Sequence, residues 1–558
     1  MPLPALLLNG LQHIAIIAPI GLVFPLLVLR AAGADTQLQE AVISASLVAL
    51  GLGSILLCAR HRALGSGYLA PAVFTAAYLP ASLMAAQTGG LPLVFGMTIF
   101  AGCCEVLFSF FLRRLRPYLP VEIAGLAVVM IGFILGLIGF RLLFGLDSLG
   151  AYRGIGPDGL SLGLGFLALA VIIGLNVWAR GVFKVFSVLI GVVLIYPLAW
   201  MLDRTDLNNE LLEGHDTLFA LPTFPLLVPT FDIALAVPFM VGALACALRA
   251  IGDITTCQRI TDPNWVRPDM TSLEKGVRAD GIATLLAGAM GTVGLNTFSG
   301  SVGLSQATGM MQRRIGYAIG GLFILLSLFP HVVVLTIGMP DSLTGAILIF
   351  SSAFILANGL SIIVSRMLDE RRIIAVGVAL ILGISHDIFP QFYETLPHWL
   401  MTITGSSLVV AVVTALLLNG LFRIGISRKA ELQLPIKGDL IDEIVAFCRL
   451  HGAHWGARRD VIDRVINAMT EAGEMAVSQG HALGTVDIEL HYDEYRILAR
   501  MVFTPDHKAS GGGAEADAID DFAPEASDLE LRLMRHFADK VSIEEQRERR
   551  LLRLVFQT

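Results

Sequence analysis

The sequence predicts a polytopic α-helical membrane protein followed by a small cytoplasmic α/β domain, and three observations carry that prediction. Of the 558 residues, 55% are hydrophobic and only 15% are charged, with a mean hydropathy of +0.73. Soluble globular classes do not have this balance. Apolar runs of bilayer-spanning length recur from the N-terminus to about residue 424. Beyond that point the composition changes sharply and reads as soluble. The implied division is 1–425 for the transmembrane domain, 426–438 for a linker and 439–558 for the cytoplasmic domain. The net charge of −7 identifies no partner beyond the lipid bilayer, and nothing in it points to nucleic acid. The six cysteines show no metal or disulfide spacing, so buried thiols are expected, with no metal and no cofactor. The first apolar run starts almost at Met1 without a basic flank or cleavage site, which reads as a retained first helix.

Taken in order, apolar segments fall at 8–30, 40–59, 72–88, 92–111, 121–144, 161–179, 183–202 and 233–251, then at 278–293, 300–312, 316–337, 341–362, 373–391 and 402–424. Two of these fourteen are anomalous. In the third, Pro71 and Pro80 bracket the start and the stretch that follows is too short to span. The tenth follows Gly291-Thr-Val-Gly-Leu-Asn-Thr-Phe-Ser-Gly300 and is broken by glycines among Asn296, Thr297, Ser299, Ser301, Ser305 and Gln306. Non-helical backbone at membrane depth requires protein or a water-filled cavity to satisfy it. Residues 293–298 are expected to be extended and 300–310 to form a half-helix capped by Ser299. A glycine-rich packing seam is the other reading. Each anomaly stands third in a set of seven, which suggests a 7+7 inverted repeat with the solute site between the halves.

Charge placement agrees. Every second loop is basic: Arg60 and Arg62; Arg113, Arg114 and Arg116; Arg180 and Lys184; Arg259, Arg267, Lys275 and Arg278; Arg313 and Arg314; Arg366, Arg371 and Arg372; Arg423, Arg428 and Lys429. The alternate loops carry only Arg30, Arg141, Arg153 and Arg204. The positive-inside rule then puts both termini in the cytoplasm of an inner (plasma) membrane protein. The loops 145–159, with Asp147, Arg153 and Asp158, and 203–228, with Asp203, Asp206, Glu210, Glu213 and Asp216, fall outside.

Segment eight carries Leu248-Arg-Ala-Ile-Gly-Asp-Ile-Thr-Thr256. Arg249 and Asp253 share a helical face at i, i+4. Ionisable groups at membrane depth face a bundle interior, a partner or a pathway. The pair is therefore either a local ion pair or part of a site.

These residues resemble the nucleobase–cation symporters of the xanthine/uracil permease and nucleobase–ascorbate transporter family over about 5–424. Gln12-His13 looks like that family's opening motif, Arg249-Ala-Ile-Gly-Asp253 like its segment-eight motif, and Ala279-Asp-Gly281 like the start of its ninth segment. Asn296 to Arg314 resembles its signature, with Val302-Gly-Leu304, Thr308-Gly309 and Arg313-Arg314. The resemblance implies a core domain of segments one to four and eight to eleven, a gate domain of the rest, and a short strand beside a half-helix in the third and tenth. Two positions depart from the pattern. The family's substrate-binding carboxylate falls on Arg249, which only donates, and its second binding residue falls on Gly300.

The expected solute site lies between Phe74, Thr75 and Ala76, Arg249, and Ser299, Gly300 and Ser301. Phe74 is there either to stack on a planar solute or simply to pack, and Gly300 leaves room for a ring or a close backbone approach. Gln12, His13, Asp253, Asn296 and Thr308 are the polar residues expected to couple or brace it, with Asp253 as the coupling or helix-locking acid. The resemblance implies a secondary transporter of a nucleobase-like small-molecule solute coupled to H+ or Na+. A transporter of the same fold for an anionic solute, a non-transporting sensor and a homodimer stay open.

In the cytoplasmic domain Glu431–Lys437 reads as linker, Asp439–Leu450 and Asp460–Gln479 as helices, and Thr485–His491 and Arg496–Phe503 as strands. Residues 508–527 read as mobile, 529–541 as a helix and 551–556 as a strand, in a mostly antiparallel sheet. Order and spacing resemble the histidine-kinase-type ATPase fold of anti-sigma-factor kinases. Glu471 falls at the general-base position and Met475 at the magnesium-ligand position, which implies a degenerate domain without phosphotransfer. Asp506 is the nearest acid to a missing glycine box, and Gly511–Gly513 reads as a loop.

Overall fold

The computed structural model describes residues 3–115, 121–146, 158–205, 217–263, 265, 268–364, 370–397, 400, 404–422, 428–436, 439–455, 457, 459–479, 484–493, 496–505, 526–546 and 549–557. The expectations placed on Arg116, Asp147, Arg153, Asp206, Glu210, Glu213, Asp216, Arg267, Arg366, Arg423, Asp506 and Gly511–Gly513 lie outside the described residues. The chain divides into two compact units, Met1–Gly420 and Leu421–Thr558.

Helices occupy the stretches expected in the first unit. Seven described helices are long and apolar enough to cross a membrane, or eight when a bent pair is taken as one span. They pack in two groups. In one, the helix Leu79–Leu115 lies against Met270–Ala289 and Ala236–Thr261, and Thr36–Cys58 lies against Arg314–Leu326. In the other, Val121–Phe144 lies against Asp341–Ile363, which also packs on Gly159–Trp178. Small residues line both seams, as expected where lipid removes the hydrophobic drive between helices.

Several expected helices are interrupted, the seventh at Phe186 between Val182–Val185 and Ser187–Met201. Leu3–Gly21 is followed by Val23–Ala31, with Pro19 and Pro25 removing backbone donors near the break. The third stretch becomes strand β1 (Ala72–Phe74) and a half-helix that Gly90 separates from segment four; at φ 68° and ψ −165° this position suits glycine. The eleventh was expected as one helix over 316–337. It is instead Arg314–Leu326 and Pro330–Ile337, bent by 85°. Pro330 opens the second piece, and a proline there cannot donate back to the preceding turn.

The second unit is a five-stranded antiparallel sheet in the order β3-β4-β5-β7-β6, formed by Arg428–Pro435, Thr485–Tyr492, Arg496–Phe503, Arg549–Gln557 and Lys540–Gln546 respectively, with β2 being Leu295–Thr297 of the first unit. The helices Leu440–His454, Arg459–Gln479 and Ala526–Phe537 share one apolar core with the sheet. Most of the stretch expected as linker is the edge strand β3, which pairs along its full length with β4. Ala430 and Leu434 point into the core while Glu431 and Gln433 alternate outward, a period of two that a short run ending in Pro435 disguises. Arg428 and Lys429 are therefore sheet residues, and Lys429 bonds Glu431 and Glu489.

Candidate functional site

The third and tenth stretches meet as strands. β1 and β2 pair antiparallel, with Ala72 opposite Thr297, Val73 opposite Asn296 and Phe74 opposite Leu295. The ladder is extended at its ends, where Thr75 N donates to Gly294 O at 3.3 Å and Phe298 N to Pro71 O at 3.1 Å. Neighbouring helices satisfy further backbone groups. Ser54 Oγ accepts from Ala72 N at 3.1 Å, and Thr284 Oγ1 donates to Leu295 O at 2.9 Å. Irregular backbone this deep is stable because protein replaces the missing water.

Each strand leads into a half-helix. The one after β2 spans Ser299–Thr308. Its N-cap is Phe298, and no side chain caps it among the described residues, so Ser299 is the first helical residue and not the expected cap. The Ser299 hydroxyl instead accepts from Arg249 Nε at 3.4 Å. Arg249 also lies 4.0 Å from the Asp253 carboxylate, one turn along the helix Ala236–Thr261. Asp253 in turn accepts from Thr297 Oγ1 at 2.8 Å. Asn296 Nδ2 donates to Cys246 O at 3.3 Å, tying β2 to the same helix face. The result is a continuous polar group, Arg249–Asp253–Thr297–Asn296, at the mouth of a half-helix whose first N–H groups have no side-chain acceptor. Such an end carries partial positive charge and suits a carbonyl or anionic oxygen.

The expected residues divide here. Arg249, Asp253, Asn296 and Ser299 converge, and Ser301 contacts none of them through its hydroxyl. Ser301 is fully buried and its hydroxyl has no partner among the described residues. Gly300 is exposed, but the space beside it is not open: a Cβ there would lie 2.5 Å from Phe298 Cζ. The room expected for a solute ring is filled by the chain's own aromatic. Phe74, Thr75 and Ala76 are all buried. The Phe74 ring is part of the apolar core, and in this structure it offers no free face for stacking. Thr75 accepts from Ala77 N at 3.2 Å within the turn that precedes the other half-helix, which starts at Leu79. Thr308 stands at the far end of its half-helix, where its hydroxyl turns back to Leu304 O at 2.9 Å, away from the polar group. Gln12 is half-buried, and His13 is buried with Nδ1 unpartnered among the described residues; their helix packs against Ser299–Thr308.

The sequence names Thr297 only as one of the hydrogen-bonding groups of the broken stretch, without a place in the site, and gives Phe298 no role. The alternation of β2 is the signal that finds Thr297, since it faces the helix bearing Asp253 only if the strand is fixed. Nothing local signals the ring of Phe298.

A Permease family profile matches residues 4–391. Xanthine permease XanP of Escherichia coli K12 is 27% identical over 441 residues, covering 75% of this chain and 92% of that protein. Uric acid permease PucK of Bacillus subtilis is 25% identical over 431 residues, covering 77% and 98%. Among solved structures, murine Solute Carrier 26 family member A9, an anion transporter in the inward-facing state, superposes with a TM-score of 0.52 at 11% identity, covering 78% of this chain and 70% of that one. The last likeness concerns the fold alone.

Proposed function

This chain belongs to the Permease family, and from that membership we propose that it carries a nucleobase of the xanthine or uric acid type across the cell membrane by secondary transport. The observation that carries the reading is the Arg249–Ser299 contact at the uncapped start of the half-helix Ser299–Thr308. Purine carbonyls are acceptors, and both the Arg249 fork and the free N–H groups of the half-helix are donors. The relatives named above are xanthine and uric acid permeases. Solute is bound from the side of Arg249, Ser299 and Gly300, and Phe298 forms the aromatic wall that Phe74 was expected to supply.

The finer arrangement belongs to the same proposal. The two packing groups act as core and gate of a fourteen-segment, 7+7 inverted repeat, with both termini cytoplasmic. Asp253 is the helix-locking acid, since it already holds Arg249 and Thr297. Coupling is to H+ or Na+. The C-terminal unit is a non-catalytic partner or dimerisation module, consistent with Met475 sitting in its apolar core.

Uptake of labelled xanthine and uric acid into proteoliposomes tests the reading. Saturable uptake of either supports it, and its absence with the folded protein overturns it. Arg249 itself favours a second reading, an anionic solute. Competition by carboxylates or inorganic anions, with none by neutral purines, would select that one.

A further inference from the structure

The polar group at the half-helices does not account for two other acids in the membrane unit. Glu105 lies on the helix Leu79–Leu115 and Asp280 on Met270–Ala289. Both are fully buried, at 0% exposure. Their helices hold them side by side: a Cβ on Gly281, the residue after Asp280, would lie 2.9 Å from Glu105 Cβ, and the two carboxyls interact electrostatically. Among the described residues, none of their four oxygens meets a hydrogen-bond donor. A buried carboxylate without a donor or a counter-charge is far more costly than one that is paired. Two such groups side by side are complete only when a cation lies between them.

The helices leave little room for that cation. They pass at backbone contact: a Cβ at Gly281 would lie 2.7 Å from Val106 N and 2.9 Å from Glu105 Cβ, and one at Gly102 would lie 2.5 Å from Leu285 N. A proton fits such a gap without further ligands, whereas Na+ needs several oxygens. From this geometry we propose that Glu105 and Asp280 together form the binding site of the coupling proton. The proposal rests on the secondary-transport reading for its role in coupling, but the site itself stands on the packing.

Other groups face the pair from each neighbouring element. Cys104 precedes Glu105 on its own helix. Tyr78, in the turn after β1, and Cys246, on the helix Ala236–Thr261, are buried within electrostatic reach of the pair, and the Tyr78 hydroxyl has no partner among the described residues. Arg249 and Asp253 act on Asp280 from the helix Ala236–Thr261. Toward the Ala63 end, Arg278 Nε donates to Ser109 Oγ at 3.3 Å and its Nη1 to Ala63 O at 3.2 Å, so its charge is engaged one turn from Glu105. None of these donates to the pair. A link to the solute site exists in the chain itself. Thr284, one turn after Asp280 and on the same face, holds the carbonyl of Leu295 in β2. Loss of the proton leaves two like charges between helices in backbone contact, and their separation pulls on that strand. Uptake then runs as proton binding by the pair, solute binding at the half-helix, and release of both on the opposite side.

Infrared difference spectroscopy of the reconstituted full-length protein tests the site with the proton alone. A protonated-carboxyl C=O band, shifted in D2O, is expected at neutral pH. It should disappear in Glu105→Gln and in Asp280→Asn, and persist in Asp253→Asn. Absence of the band, its survival in both variants, or its removal by added Na+ would overturn the proposal, the last by making the ion Na+. If E105Q fails to fold, the wild-type and D280N spectra decide. Transport separates this proposal from the one it rests on. E105Q should keep xanthine counterflow and lose accumulation driven by a pH gradient; accumulation equal to wild type would overturn the coupling role. Wild-type protein that moves neither xanthine nor uric acid defeats the solute reading while the infrared result still decides the proton site.

Discussion

The two half-helices are built alike and finished differently. Each follows a three-residue strand, and the strands pair with one another. Before the first half-helix, Phe74, Thr75 and Ala76 are buried, and the Thr75 hydroxyl takes up a free backbone N–H. At the second, Ser299 is half-buried, Gly300 is exposed, and the N-terminus has no side-chain cap among the described residues. On the proposed reading, the first crossing is buried and braced by its own turn, while the second end is left for Arg249 and a solute, so the two halves of the proposed repeat would not contribute equally.

The largest test of this contrast is Arg249→Ala. It leaves Asp253 buried without its counter-charge, which should cost about 3 kcal/mol of stability. It also removes the donor at the open end, so solute binding should vanish. Thermal unfolding together with calorimetry on the folded fraction measures both, and retained affinity would show that the open end is not the site. Next is Gly300→Leu, whose side chain must displace the Phe298 ring. Affinity should fall by roughly 10- to 100-fold, equivalent to about 1.4–2.8 kcal/mol, with the melting temperature nearly unchanged. Equal loss of both would mean that Phe298 is structural.

Two smaller effects are expected on the closed side, and both should spare affinity. Phe74→Leu should lower stability by about 1 kcal/mol, as for a roughly volume-conserving core change, while xanthine affinity stays within experimental scatter. A clear affinity loss would restore Phe74 as a stacking residue. Thr75→Val removes the turn hydrogen bond to Ala77 N and should cost about 1 kcal/mol, read by denaturation of the detergent-solubilised protein. If T75V weakens solute binding more than G300L does, the assignment of brace and site is reversed.

The legibility of the sequence follows the range of the interactions. Arg249 and Asp253 were readable as neighbours because one helical turn relates them, and the strand-and-half-helix breaks were readable from Pro71, Pro80 and the glycines of 291–309. The filling of the Gly300 space by Phe298 was not, since it depends on which way one ring turns. The bend at Pro330 was hidden because the apolar run continues through it. β3 reads as a linker in the sequence because its alternation becomes convincing only once β4 lies beside it. Glu105 and Asp280 stand on helices far apart in the chain, and only close packing at Gly102 and Gly281 brings them together.

The pairing of β1 with β2 has a consequence for how the protein is made. Ala72 and its partner Thr297 are separated by more than two hundred residues of chain. At synthesis rates of about 5–20 residues per second, β1 waits roughly 10–45 seconds for its partner to be made. Until then its hydrogen-bonding edge stands open at membrane depth. An N-terminal half produced alone would keep that edge exposed, so truncation between the two halves should yield a species that quality control removes rather than half a transporter.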